Sequence, residues 1–253
     1  MKLLLDGSGG FAGDMFTAAL LNSGANYNNV RHNMVTCGKK LGDIKIDHKK
    51  NMDGSTQLMI TLHPNSDHVE AGSIKKLLLE CFEKLNIGKI YREFGEKVLN
   101  ILIDAENEAH KSHVFDKLMH DHGHTHKGTV LHEAQDILID IIGAVSGLEL
   151  MKVEPSASLI KPVRTGYGMI EFSHGILDVP APATKIILNK FNIDWRKGPI
   201  EAELCTPTGA SLLAALTGNN DDNNKEVDFK VLYEGSSRGS KILPIPPLKI
   251  FLI

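Results

Sequence analysis

The stretch Leu3-Leu4-Leu5-Asp6-Gly7-Ser8-Gly9-Gly10-Phe11-Ala12-Gly13-Asp14-Met15 decides how the rest of the chain is read. Three leucines in a row make a short apolar strand, the glycines a tight turn, and the residues from Asp14 to Asn22 a helix closed by Gly24. A strand, turn and helix in that order predict a parallel neighbour for the strand. Working outward, Ile44–His48 and Gln57–His63 read as strands around the turn signal Asp53-Gly54, and Val163–Asp178 reads as a glycine-punctuated hairpin. Those segments predict antiparallel pairs. Parallel and antiparallel pairing together predict an α+β fold, a mixed sheet with packed helices. Helical periodicity runs over Ser73–Leu85, Ile90–Ala109 and Leu131–Met151, while Pro182 and Pro207 each open a further helix. No internal repeat and no linker is visible, so residues 1–253 read as one domain.

Composition narrows the function classes. Of the 253 residues, 42% are hydrophobic and 23% charged, the usual balance of a folded soluble protein. Twenty-eight Lys and Arg stand against 31 Asp and Glu, which argues against nucleic-acid binding through counterion release. No run approaches the ~18 apolar residues of a membrane span, and the apolar start at Leu3–Leu5 is too short for a signal peptide. Cys37, Cys81 and Cys205 are too few and too dispersed for a disulfide framework or a CxxC site. The expectation is a cytoplasmic protein.

Histidine is unevenly spread. Seven of the twelve histidines fall between His110 and His132, and His120, His122, His124 and His126 alternate with small or acidic residues in one loop. Imidazole nitrogens suit nickel, copper or zinc, so these four are candidate metal ligands, although such a tract can also serve storage alone. In the predicted helix that follows, His132, Glu133, Asp136 and Asp140 share about 100° of arc, opposite an apolar face. Carboxylates that close repel one another unless a cation neutralises them. Gly143 and Gly147 extend this stripe and leave room for an approaching group. Asp6 joins His132 and Asp140 as a candidate metal ligand. The turn bearing Ser8 and Gly9 ahead of Gly13 and Asp14, and the Thr206-Pro207-Thr208-Gly209 helix start, are both able to hold an anion. Cys205 has no base beside it and is not read as a nucleophile.

Four segments carry a resemblance: residues 6–15; Ala105–His110 on to His132-Glu133, Asp136 and Asp140–Ala144; His174-Gly175 with Val179–Thr184; and Glu203–Ala210. In order and spacing they resemble the nickel insertion protein family of nickel-pincer cofactor maturation (LarC family). The resemblance implies insertion of Ni(II) into pyridinium-3,5-bisthiocarboxylic acid mononucleotide, a nickel chelatase reaction of the lyase class. It forms Ni–S and Ni–C bonds, requires CTP with Mg or Mn, and serves lactate racemase-type enzymes. It further implies Glu133 or Asp136 as the base that removes the ring proton. Ser8, Gly9, Gly13, Asp14, His174, Thr206, Thr208 and Gly209 would then bind the nucleotide. Relatives continue into a C-terminal domain associated with CTP, so this chain reads as the N-terminal, nickel-handling part.

Two other functions fit the residues. One is a nickel metallochaperone or storage module that makes no cofactor bonds. The other is a metal-dependent phosphatase-like enzyme built on Asp6, Asp14, Asp136 and Asp140, which the histidine loop disfavours because Mg²⁺ prefers oxygen-only sites. The apolar ending Ile242–Ile253 is expected to dock on the chain's own body, or to pair with a separately supplied C-terminal domain or a second copy. Its three prolines argue against an interior strand and allow an edge piece at 248–253.

Overall fold

A computed structural model describes residues 1–66, 68–111, 130–172, 175–218 and 230–253, with the side chains of 170–175 left aside. The first half runs β1 (Leu3–Asp6), a 3-10 turn (Gly7–Gly9), α1 (Gly13–Asn22), α2 (Tyr27–Gly38), β2 (Gly42–Lys50), β3 (Thr56–Pro64), β4 (His68–Glu70), α3 (Ala71–Lys84) and α4 (Lys89–Lys111). The second half runs β5 (Val130–His132), α5 (Ala134–Leu150), β6 (Ala157–Lys161), β7 (Val163–Arg164), β8 (Gly166–Tyr167), β9 (Met169–Phe172), β10 (Gly175–Asp178), α6 (Pro182–Lys190), β11 (Trp195–Arg196), β12 (Ala202–Glu203), α7 (Pro207–Thr217), β13 (Tyr233–Ser237) and β14 (Leu248–Leu252).

The main sheet has the order β2-β3-β13-β14-β1-β6. It is mixed: β1 pairs in parallel with β6 and antiparallel with β14, while β2 and β3 form a long antiparallel ribbon. The α+β expectation holds, and so does the parallel neighbour of the first strand. Helix α1 packs on β3, β13 and β14, and α5 sits among α1, α2 and α4. Helices α4, α6 and α7 pack against one another.

Three expectations need correcting. Helix α5 begins at Ala134, not Leu131, because Leu131 and His132 pair with β4 as a strand. It is also buried on all sides rather than along one stripe. A Cβ at Gly143 would meet the Thr17 hydroxyl at 2.6 Å, and one at Gly147 would meet Leu20 at 2.8 Å. Those glycines make room for α1, not for a ligand. Second, the Val163–Asp178 segment is not one hairpin: only β9 and β10 pair with each other, while β7 pairs with β11 and β8 with β12. Third, β14 is an interior strand between β13 and β1. Pro244, Pro246 and Pro247 precede it, so no proline interrupts its ladder. The ending therefore docks on the chain's own body, with Leu248, Ile250 and Leu252 fully buried.

Candidate metal and substrate site

The N-terminus of α1 and the first turns of α5 face each other. Gly13 allows this, since a Cβ there would lie 2.2 Å from the Asp140 carboxyl group. Gln135 fixes the start of α5 from behind: its Nε2 donates to the carbonyls of Gly38 (3.0 Å) and Asp43 (3.3 Å). The next residue, Asp136, and Asp140 one turn on are thereby held toward Asp14, which opens α1.

The electrostatics of this meeting point are unusual. Asp140 is 4% exposed, and its Oδ1 is buried without a hydrogen-bond partner. Burial, and then the charges of Asp136, Asp14 and Glu133, push its carboxyl well above the usual range. Asp136 is pushed to about 7 by burial and by Asp14 and Glu133. Asp14 is pushed to about 6 by burial, offset in part by the Met15 amide that donates to its Oδ1 at 2.7 Å. Two further acids face the same space. Burial raises Glu106 to about 7, with Glu133 adding to the shift. Burial likewise raises Glu203 to about 7, against the opposing pull of Lys241. Acids poised near neutrality suit proton transfer.

Glu133 itself is in the left-handed region (φ 55°, ψ 31°) at the cap of α5. For a residue other than glycine this conformation costs about 1–3 kcal/mol, and such strain gathers at functional sites.

Three cavities converge on these acids. One of about 210 Å³ is lined by Gly9, Asp14, Glu203, Thr206, Arg238 and Lys241, among others. A second, of about 120 Å³, shares Glu203 and Thr206 with the first and adds Glu106, His132, Glu133 and Asp136. A third, of about 410 Å³, shares His132, Glu133 and Asp136 with the second and opens beside Ser66 and Gln135. The acids are thus reached from both sides.

The structure brings together Asp14, Glu133, Asp136 and Asp140 from the expected set, with His132 beside them. It does not bring Asp6 there: Asp6 pairs with Lys161 at 2.8 Å and accepts from the Ser8 amide. Those two partners outweigh its burial and hold its carboxyl below the usual value. Gly9 lines the first cavity, but its missing side chain admits the backbone of Pro246–Leu248, and that of Gly209 admits Phe11 and Ala12. Thr206 caps α7 as expected, accepting from the Gly209 amide at 3.1 Å. Thr208 lines the second cavity. His120, His122, His124, His126 and His174 lie outside the described residues. Cys205 is fully buried, and burial raises its thiol far above the usual value, consistent with an inert role. Sequence reading missed Glu106 and Glu203, although both stand in the resembling segments; Glu108 and Glu201 stand two positions from them, so no local pattern singles either one out.

Among the described residues no group of three or more His, Cys, Asp or Glu side chains is spaced to hold a metal ion. The acids share one space without forming a preformed cage. Among those residues also, no helix is long and apolar enough to cross a membrane.

Comparison with known proteins identifies the family of the chain. The chain is 30% identical over 248 residues to a putative nickel insertion protein of Methanothrix thermoacetophila, covering 97% of this chain and 57% of the relative. It is 31% identical over 217 residues to the pyridinium-3,5-bisthiocarboxylic acid mononucleotide nickel insertion protein of Staphylococcus saprophyticus, covering 85% and 50%. A protein of the same name from Clostridium kluyveri is 29% identical over 265 residues, covering 96% and 59%. The chain thus spans somewhat over half the length of these relatives. No solved structure matches it. The sequence model of the nickel insertion protein family matches residues 3–250, nearly the whole chain, and the chain belongs to that family.

Proposed function

We propose that this chain carries the metal-insertion half of a nickel chelatase acting on pyridinium-3,5-bisthiocarboxylic acid mononucleotide, yielding the nickel-pincer cofactor of lactate racemase-type enzymes. The observation that carries the reading is the buried, unpartnered Asp140 Oδ1 amid Asp14, Asp136 and Glu133. A pocket of uncompensated carboxylates complements cations, and this reaction brings two: Ni²⁺ and the pyridinium ring. Both are substrates.

The chemistry then follows. Two thiocarboxylates at ring positions 3 and 5 bind nickel through sulfur. The C–H bond of the carbon between them breaks, its electron pair forms the Ni–C bond, and its proton passes to a carboxylate. Asp136, near neutrality and lining both the 120 Å³ and the 410 Å³ cavities, would accept that proton, with Glu133 as the adjacent candidate. The single phosphate is assigned to the 210 Å³ cavity, where Lys241 brings positive charge. The family resemblance implies that CTP, with Mg or Mn, belongs to the part of the longer relatives that this chain does not span.

The test is insertion itself. The chain is mixed with Ni²⁺ and the bisthiocarboxylate nucleotide, with and without a relative's C-terminal domain and CTP, and Ni–C product is followed by mass and absorbance. Product that depends on Asp136 supports the reading. Nickel binding without product in either mixture favours a delivery module instead.

A further inference from the structure

Strands β4 and β5 form a two-stranded ribbon apart from the main sheet, and its register sets His68 directly opposite His132. Directly opposed residues project from the same face. Here the two imidazole rings meet edge to face, with centroids 4.5 Å apart and planes at 81°. Two imidazoles on one metal, each with a metal–nitrogen bond of about 2.0–2.1 Å and an angle near a right angle between them, have centroids about 4.5–5 Å apart. The pair stands at that separation, and rotation of the exposed His68 ring would turn a nitrogen of each ring toward one ion.

Its position is as telling as its spacing. His68 is exposed and His132 half-buried, and His132 lines both the 120 Å³ and the 410 Å³ cavities together with Glu133 and Asp136. Asp140, fully enclosed, lies one helical turn beyond Asp136. Exposure thus falls from His68, which is exposed, through His132 and Asp136, both half-buried, to the buried Asp140. Ligand type changes along the same line, from nitrogen to oxygen.

We propose that His68 and His132 form a two-imidazole transfer site, at which a nickel ion is held at the cavity mouth before it passes to Asp136 and Asp140. This rests on the nickel-insertion reading of the acidic pocket. Two protein ligands hold nickel weakly and leave its remaining positions to water, which suits cargo that must be released. Imidazole is a well-matched donor for nickel, and it selects nickel over the abundant Mg²⁺ before the ion reaches oxygen ligands that discriminate less.

The test uses the full chain with His120, His122, His124 and His126 changed to Gln, so that the loop cannot mask the site. One equivalent of Cu²⁺ serves as the paramagnetic probe, and coordinated imidazole nitrogens are counted by electron paramagnetic resonance. Two nitrogens are expected in this parent and one on addition of His68→Gln. An unchanged count in the His68→Gln protein overturns the transfer site. Because His68 is exposed, that variant should fold, which circular dichroism checks. In the insertion assay, His68→Gln should raise the Ni²⁺ concentration for half-maximal product about tenfold. If the unaltered chain makes product and His68→Gln leaves that concentration unchanged, the transfer site fails while nickel insertion stands. If copper sees both imidazoles but no product forms under any condition, the site stands and the insertion reading fails.

Discussion

Asp136 shows how far a single side chain can be taken. Its carboxyl is pushed to about 7 in the folded chain, against 3.8 for the free side chain. The folded protein therefore keeps a proton that the unfolded chain sheds between about pH 4 and pH 7, so stability falls as pH rises through that window. Glu106 and Glu203, also near 7, and Asp14, near 6, act in the same direction. Without metal, the melting temperature should drop between about pH 4 and pH 7 and the decline should then level off. Asp136→Asn stays neutral throughout and should melt about 2–4 °C above the parent at pH 7.5, the shift expected of about 1 kcal/mol in a chain of this size. A scanning calorimetry series across pH checks both; a parent whose stability climbs over this range would show these acids to be ionised and paired. Nickel must displace the same protons, so its binding should tighten over that window and release protons. Titrations in two buffers of different ionisation enthalpy measure that release. Glu133 offers a separate test of strain. Glu133→Gly relieves the left-handed backbone and should keep or raise the melting temperature while insertion activity falls. A loss of stability instead would mean that the Glu133 side chain holds the α5 cap together.

At the scale of elements, some features were written in the residue order and others were not. Pro207 at the first helical position and Thr206 before it fixed the start of α7, and the structure repeats that cap atom for atom. Thr206→Ala should cost about 1 kcal/mol, or about 2–4 °C in melting temperature, measurable by thermal circular dichroism. Helix α2 escaped notice because its Asn-, Thr- and Val-containing sequence has weak helix propensity. What makes it a helix is tertiary: Val30, Met34 and Cys37 lie along one buried face, and Asn26 caps its start. The beginning of α5 was misread for the opposite reason. Periodicity continued smoothly through Leu131 and His132, yet those residues pair with β4, a partner more than sixty positions away that no local pattern reveals. That pairing is also why the acidic cluster was half legible. The acids on α5 could be grouped by helical arc, but Asp14, Glu106 and Glu203 join them only through packing, and His68 only through the ribbon. Asp6 was grouped with them by type of side chain, while Lys161 claims it in the fold.

For the whole molecule, the decisive element is the last strand. Each half of the main sheet depends on β14: β1 pairs with it on one side along Leu3–Asp6, and β13 on the other along Tyr233–Ser237. Residues Leu248, Ile250 and Leu252 are fully enclosed, and burying three such side chains contributes about 5–9 kcal/mol. That is comparable to the entire net stability of a typical domain, about 5–15 kcal/mol. The same segment shapes the site, since Leu243, Ile245 and Pro246 line the 210 Å³ cavity and the Ile245 carbonyl accepts from Arg238 at 2.6 Å. Removing residues 243–253 should therefore abolish the fold as well as that cavity, giving insoluble or uncooperatively melting protein. Ile242→Ser provides the contrast. Ile242 is 94% exposed, so that change should leave solubility and melting temperature within about 1 °C of the parent, as surface substitutions away from structural features do. Sedimentation and thermal melts of the two variants side by side make the comparison. A truncated chain that stays soluble and melts cooperatively would show that β1 and β13 can close the gap without β14, and that the sheet order does not depend on it.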